Sequence, residues 1–193
     1  MDDPRLLETT IGSRVIHTGR YLTVRVDTVQ DADGGVHTRD IVEHPGAVAI
    51  LALDAGCVLM VHQYRTPAGL VLLEIPAGTL ERETAGTTED PALASVRELG
   101  EETGYSAAAW RLLCSFWTAP GFVSEYMYLY LATDLSPIEG YAGPDVDERL
   151  SLERVPWRDA VGRALRGELR DAKSILALLW LDRMVTTGEL TLD

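Results

Sequence analysis

The chain has 193 residues, a length that predicts one domain, or one with a small appendage, and suffices to bury a core without disulfide or metal staples. Its 46% apolar and 24% charged residues are ordinary for a globular protein and exclude collagen, coiled-coil and low-complexity architectures. Seventeen basic against thirty acidic side chains leave a formal charge of -13, a field that repels nucleic acid and anionic lipid, so a phosphate-bearing substrate calls for a bound cation.

The first ten residues, MDDPRLLETT, are acidic and contain no apolar stretch of the kind a secretory signal requires. The longest apolar runs, 47–53 and 175–181, fall far short of the roughly 20 residues of a membrane span. Cys57 and Cys114, the only two cysteines, lie within or beside apolar sequence and read as buried free thiols of a reducing compartment. The expectation is a soluble cytoplasmic protein with neither a nucleic-acid nor a membrane partner.

In chain order, residues 13–29 are rich in β-branched and aromatic side chains and are interrupted by Thr18-Gly19-Arg20, which predicts two strands around a tight turn. Asp33-Gly34-Gly35 marks a second turn before a strand over 37–43, and His44-Pro45-Gly46 punctuates the chain. Residues 1–44 thus read as a small antiparallel β unit ahead of a main domain over 45–193. There, Asp54-Ala55-Gly56 predicts a hairpin between the buried strands AVAILAL and CVLMVHQYR. A short strand over 71–75 stops at Pro76. A helix opens at Asp90-Pro91, carries apolar Ala92, Leu93, Val96 and Leu99 at helical spacing, and ends at Gly104. Strands over 110–117 and 125–132, a loop over 134–147, and helices over 157–165 and 171–184 follow. Leu176, Leu179 and Trp180 are the expected apolar face of the last helix. Strands and helices alternate irregularly, which predicts a mixed α/β sandwich.

The informative segment is the helix. At 100° per residue, Glu98, Glu101 and Glu102 fall within one arc while Leu93, Val96 and Leu99 face the other way. Like charges at these spacings each cost a few tenths of a kcal/mol. Either the face is simply solvated, or a hard divalent cation such as Mg²⁺ relieves it through oxygen ligands while keeping waters for a phosphate.

The pattern is narrower than three glutamates. Glu89 is followed, after seven residues, by Arg97-Glu98-Leu99-Gly100-Glu101-Glu102-Thr103-Gly104-Tyr105. This resembles the signature of the Nudix hydrolases, and its contiguous part would arise by chance in on the order of 10⁻⁵ to 10⁻⁴ of chains this size. The resemblance implies a Nudix-type α/β/α sandwich with a mixed sheet and hydrolysis of a nucleoside diphosphate linked to another group. It implies Glu98 and Glu102 as metal ligands, Glu101 as a ligand or its support and a catalytic residue, and Arg97 as the residue that orients them. The Ala77 carbonyl would complete one site for Mg²⁺, or for Mn²⁺, and Glu89 would be a supporting residue. The chain departs from the family at the front of the motif: ten residues separate Gly78 from Glu89 where the family has five, an insertion of about five residues within 79–88.

Further matches resemble the ADP-ribose pyrophosphatase branch: Glu43-His44-Pro45-Gly46-Ala47-Val48, Gln63-Tyr64-Arg65, Leu73-Glu74-Ile75-Pro76-Ala77-Gly78, and Pro120, sixteen residues beyond Gly104. On this resemblance the substrate is ADP-ribose or a related nucleoside diphosphate sugar, cleaved to AMP and a sugar phosphate. Arg39, Arg65, Glu43 and Pro120 are the implied substrate-binding residues. The two arginines could hold phosphates bidentately or be surface charges. Tyr21, Tyr64 or Phe122 could stack on the base, although core packing is the ordinary fate of such aromatics. The implied base is Glu148, with Asp147 and Asp145 behind it, and a solvated acidic loop is the plain alternative. The branch also implies a homodimer built through the N-terminal strands. A GDP- or UDP-sugar as substrate, or a nucleotide-sugar sensor without turnover, are the rival readings.

Overall fold

The turn residues and the β-branched runs between them set the strand pattern, and the capped amphipathic segments set the helices. The computed structural model describes residues 3–82, 87–143 and 149–192. In chain order the elements are β1 (Thr9–Thr18), β2 (Thr23–Gln30), β3 (Val36–Glu43), β4 (Ala47–Asp54), β5 (Cys57–Arg65), β6 (Leu70–Glu74) and β7 (Ala77–Thr79). Then come α1 (Pro91–Thr103), β8 (Tyr105–Trp117), β9 (Tyr126–Pro137), β10 (Leu150–Pro156), α2 (Trp157–Leu165) and α3 (Ala172–Thr186). The chain condenses into two compact units. One comprises Met1–Gly46, Glu81–Thr88 and Phe116–Met127; the other comprises Ala47–Leu80, Glu89–Ser115 and Tyr128–Asp193.

In the first unit β1, β2 and β3 form an antiparallel sheet in that order. The β2–β3 turn is built by Asp31, whose carboxylate accepts the N–H groups of Asp33 and Gly35 at 3.0 and 2.7 Å, with Gly34 at φ 86. The segment between β8 and β9 is strapped to the end of β3: Val42 N–H donates to the Phe122 carbonyl and Ser124 N–H to that of Val42, at 2.8 and 2.9 Å.

In the second unit a seven-stranded mixed sheet runs β10-β5-β4-β9-β8, with β6 beside β5 and β7 beside β4. The β4–β5 hairpin pairs only at Leu53/Val58 and Asp54/Cys57; beyond that β7 takes up Ala47 to Ala49 and β6 takes up Val61 to Arg65. The chain crosses from one to the other at Pro76, whose carbonyl accepts the Ile50 N–H at 2.8 Å. Val48, Ile50 and Ala52 pack with Ala94 and Leu99 of α1. The alternate residues Ala49, Leu51 and Leu53 are equally buried and point to the opposite face, where α3 and α2 meet β4, β5 and β10. The expected α/β/α layering and mixed sheet are present, as is the N-terminal antiparallel unit. Among the described residues no helix is long and apolar enough to cross a membrane.

Several local expectations are corrected. β7 was unforeseen, because three residues after a proline carry no periodicity. β8 begins directly after Gly104 and β9 continues to Pro137, so residues expected as a loop pair instead; the Ser106 hydroxyl reaches the Ser136 carbonyl at 3.2 Å. In α3 the buried face is Ser174, Ala177, Leu178, Leu181 and Met184, while Leu179 is exposed. On that buried face the Ser174 hydroxyl oxygen accepts the Ile75 N–H at 2.8 Å. Both cysteines are free and half-buried rather than buried.

The largest correction concerns α1. Leu99 is fully buried, but Leu93 and Val96 are 65% and 49% exposed, and the buried stripe is Ala94, Ser95, Glu98, Leu99, Glu102 and Thr103. Small Ala94 and Ser95 let the helix approach β4 and β7 closely, and the carboxylates turn inward with them. Leu99→Ala should therefore cost about 2–5 kcal/mol of stability, and Leu93→Ala less than about 0.5 kcal/mol. Urea unfolding of the two variants measures the contrast.

Candidate active site

The site is assembled where β6 passes through Pro76 into β7, beneath α1. The Asp90 side chain caps α1 by accepting the Ala92 N–H at 2.8 Å, and Pro91 occupies the first turn, where its missing N–H costs nothing. Pairing of β7 with β4 aims the Ala77 N–H at α1, where it donates to Glu102 Oε2 at 3.0 Å. Gly78 lies so close to Glu98 that a Cβ there would fall 1.9 Å from the carboxylate carbon and Oε1. Only glycine leaves that space, and the carboxylate fills it.

Glu98 and Glu102 are 7% and 4% exposed, an arrangement that is costly for two carboxylates one turn apart unless positive charge and donors compensate. Arg97 supplies the charge. Its Nε and NH2 hold Glu89 at 3.1 and 2.8 Å, and NH1 holds Glu98 at 2.8 Å and Glu101 at 3.0 Å. NH2 also reaches the Thr79 carbonyl at 3.5 Å. The bond to Glu89, opposed by burial and reinforced by Glu98 and Glu101, pushes the guanidinium pKa further up, so Arg97 stays cationic at every working pH. Glu89, Arg97, Glu98, Glu101, Glu102, Ala77 and Gly78 are thus brought together.

They do not yet meet at one point. Among the described residues no group of three or more His, Cys, Asp or Glu side chains is gathered as a ready metal cluster. Arg97 draws Glu98 and Glu101 to itself, while Glu102 is turned to the Ala77 amide. The donor set nevertheless suits a hard divalent cation: carboxylate oxygens only, two of them buried, beside a backbone held open by a glycine.

Behind this loop stands a buried ion network. Glu74, at the end of β6, is 1% exposed and accepts Nε and NH2 of Arg65, each at 2.8 Å. It also pairs with Lys173, the chain's single lysine, which is 3.0 Å from Asp171, the residue capping α3. Burial would raise the Glu74 pKa, but Arg65 and Lys173 outweigh it and hold the carboxyl below its ordinary range. Arg65, expected to face phosphate, is thereby fixed by a bidentate clamp and also feels the charge of Glu102.

Of the other expected site residues, Arg39, Glu43 and Pro120 belong to the first unit. Arg39 pairs with Glu8, and Glu43 Oε1 is 2.8 Å from Arg25 Nε. Pro120 sits in the turn closed by the Phe122 and Val123 N–H groups on the Ala119 carbonyl. Tyr21, Tyr64 and Phe122, expected mainly in the core, are all exposed. Glu148, with Asp147 and Asp145, lies outside the described residues, as does part of the expected insertion; Arg82 and Thr88 flank it in an antiparallel bridge. Sequence reasoning did not assign Glu74 and Lys173. A lone lysine in a chain otherwise served by arginine was the available signal.

An α/β/α sandwich with a glutamate-rich helix packed on a glycine loop defines a metal-assisted hydrolase of phosphate compounds. The NUDIX domain matches residues 42–178, and the nucleoside diphosphate sugar hydrolase N-terminal domain matches residues 8–42. The chain belongs to the Nudix hydrolase family, whose members act with divalent metal ions. It is 41% identical to an ADP-ribose pyrophosphatase of Mycobacterium tuberculosis over 93% of this chain and 84% of that one. It is 39% identical to a methanol dehydrogenase activator of Bacillus methanolicus, over 90% of this chain and 92% of the relative. A crystal structure of an ADP compounds hydrolase superposes with a TM-score of 0.78, covering 94% of this chain and 95% of the other at 21% identity, which is a likeness of fold.

Gly78→Ala should displace the Glu98 carboxylate and lower turnover by about 10²-fold, the scale of an ångström-sized misplacement, with the circular dichroism spectrum retained. Glu74 adds a pH dependence. Its native pKa is depressed, so its stabilisation is complete above the ordinary value of 4.5 and is lost as pH falls through the lower native value. Glu74→Gln should flatten the acid limb of the stability–pH curve measured by urea unfolding.

Proposed function

We propose that the protein hydrolyses the diphosphate linkage of ADP-ribose or a closely related ADP-sugar, releasing AMP and a sugar phosphate, with Mg²⁺ as its ion and Mn²⁺ as a substitute. The observation that carries this reading is the seating of the Glu98 and Glu102 carboxylates on the Ala77–Gly78 backbone. The 41% identity to an ADP-ribose pyrophosphatase, spread over nearly the whole chain, supports the choice of substrate.

Glu98, Glu101, Glu102 and the Ala77 carbonyl would hold the divalent ions, and those ions, when bound, would neutralise the diphosphate and lower the pKa of attacking water. Arg97 keeps the carboxylates aligned through its bonds to Glu98 and Glu101, and is itself anchored by Glu89. Arg65, held in register by Glu74, offers its guanidinium to a phosphate oxygen. Arg39, Glu43 and Pro120 are assigned to substrate binding, and Glu148 to the base that takes the proton of the attacking water, with Asp147 and Asp145 as its alternates.

Residues 1–44 form the dimerisation element and 45–193 the catalytic domain in this reading. The homodimer is supported by β1, which is exposed along its whole length and carries Ile11, Val15 and Ile16. Two free thiols fit a reducing cytoplasm.

The test is release of the matching nucleoside monophosphate (AMP, GMP or UMP) from a panel of ADP-, GDP- and UDP-sugars with Mg²⁺. ADP-ribose should be the preferred substrate. Preference for a GDP- or UDP-sugar would reassign the base, and binding without any product would mark a sensor. Glu102→Gln should abolish turnover yet leave folding intact, because the amide oxygen can still accept the Ala77 N–H. Glu148→Gln should lower kcat by about 10²–10⁴-fold, the usual contribution of a general base, and an unchanged rate would move the base elsewhere.

A further inference from the structure

The last turn of α1 carries Glu101 and Glu102, and a segment far outside the signature motif is built onto it. Ile138 donates its N–H to the Gly104 carbonyl at 2.8 Å, and its Cδ1 sits 3.4 Å from where a Cβ on Gly100 would be. Three residues on, the Tyr141 hydroxyl donates to the Glu101 carbonyl at 2.6 Å. The Tyr141 N–H closes the turn on the Ile138 carbonyl at 3.4 Å. The Tyr141 ring lies against Gly104 so closely that a Cβ there would come within 2.5 Å of Cδ1 and 2.8 Å of Cγ. Gly104 is therefore required twice, for its φ of 73 and for the ring.

A helix leaves its last four carbonyls without an intrahelical donor, and its last turn is the part that frays. In α1 the Gly100 carbonyl is satisfied by the Gly104 N–H, and that of Glu101 by the phenol. The brace thus closes on the turn that presents two of the proposed metal carboxylates, and ligands of this kind work only when held to about half an ångström.

We propose that Tyr141 is a positioning residue for divalent-metal binding: by holding the Glu101 carbonyl and covering Gly104 it keeps the last turn of α1 wound, so that Glu101 and Glu102 meet the cation together. This rests on the reading of Glu98, Glu101 and Glu102 as the metal site.

The experiment is Mn²⁺ titration of the full-length protein followed by electron paramagnetic resonance, without substrate, on wild type, Tyr141→Phe and Tyr141→Ala. Tm without metal and the Mg²⁺ dependence of turnover are measured alongside. Tyr141→Phe keeps the ring and removes only the hydroxyl; it should weaken Mn²⁺ binding about three- to tenfold, the factor expected for one lost hydrogen bond. The Mg²⁺ concentration for half-maximal turnover should rise by a similar factor, and Tyr141→Ala should weaken Mn²⁺ binding further. A lowered Tm with unchanged Mn²⁺ affinity would mean a structural role only and overturn the proposal, as would no change in either. If Tyr141→Ala fails to fold, the phenylalanine variant decides alone. Weakened Mn²⁺ binding in a protein that turns over no nucleotide sugar would support the positioning role and sink the proposed activity; unchanged Mn²⁺ binding in an active hydrolase would do the reverse.

Discussion

The packing of α1 against the Ala77–Gly78 backbone is the constraint on which the rest of the site depends. It places two carboxylates in a nearly dry environment, where isolated anions are unstable, and it does so at positions a helix would ordinarily give to leucine. The arrangement survives because Arg97 bridges Glu89, Glu98 and Glu101, because the Ala77 amide meets Glu102, and because Gly78 has no side chain to claim the same volume. Removing a partner from such a cluster leaves charge uncompensated, which is why buried ionic sites tolerate little substitution.

The segment from Glu74 to Gly78 is held one residue at a time by different elements. Glu74 is clamped by Arg65 and Lys173, Ile75 donates to Ser174, Pro76 accepts from Ile50, Ala77 donates to Glu102, and Gly78 abuts Glu98. Two of these partners come from the first turn of α3, so a helix near the C-terminus helps to fix a loop in the middle of the chain. Such precision from rigid elements is what a reaction on a charged diphosphate requires, since the electrostatic gain depends on groups that do not reorganise. The brace at Ile138 and Tyr141 does for the far end of α1 what the Asp90 cap does for its start.

Much of this was legible in the linear chain, for physical reasons that can be named. Turns at Asp54-Ala55-Gly56 and Asp33-Gly34-Gly35 were readable because glycine accepts positive φ at no steric cost, and Gly56 and Gly34 both adopt it. The limits of α1 were readable because Asp90, Pro91 and Gly104 act within a few residues of themselves. The orientation of α1 was not, because hydrophobic periodicity assumes that leucine faces inward. Leu93 and Val96 face solvent here, since the competing stripe of Ala94, Ser95, Glu98 and Glu102 finds donors and a glycine loop that no local pattern reveals. The buried face of α3 escaped for a similar reason, since it includes a serine hydroxyl reaching ninety-nine positions back along the chain.

By itself the sequence determined the elements and their caps, the acidic character of the protein, and the spacing of Arg97, Glu98, Glu101 and Glu102 that marks the family, because these are short-range properties of the chain. Tertiary structure alone decided which side of α1 is buried, that Arg65 is clamped by Glu74, that Lys173 supports the Glu74–Gly78 segment from behind, and that Tyr141 closes the last turn of the helix. Those facts depend on groups brought together from nine to ninety-nine positions apart. Charge pairing and steric fit at such separations are settled only when the sheet and its helices close around one another.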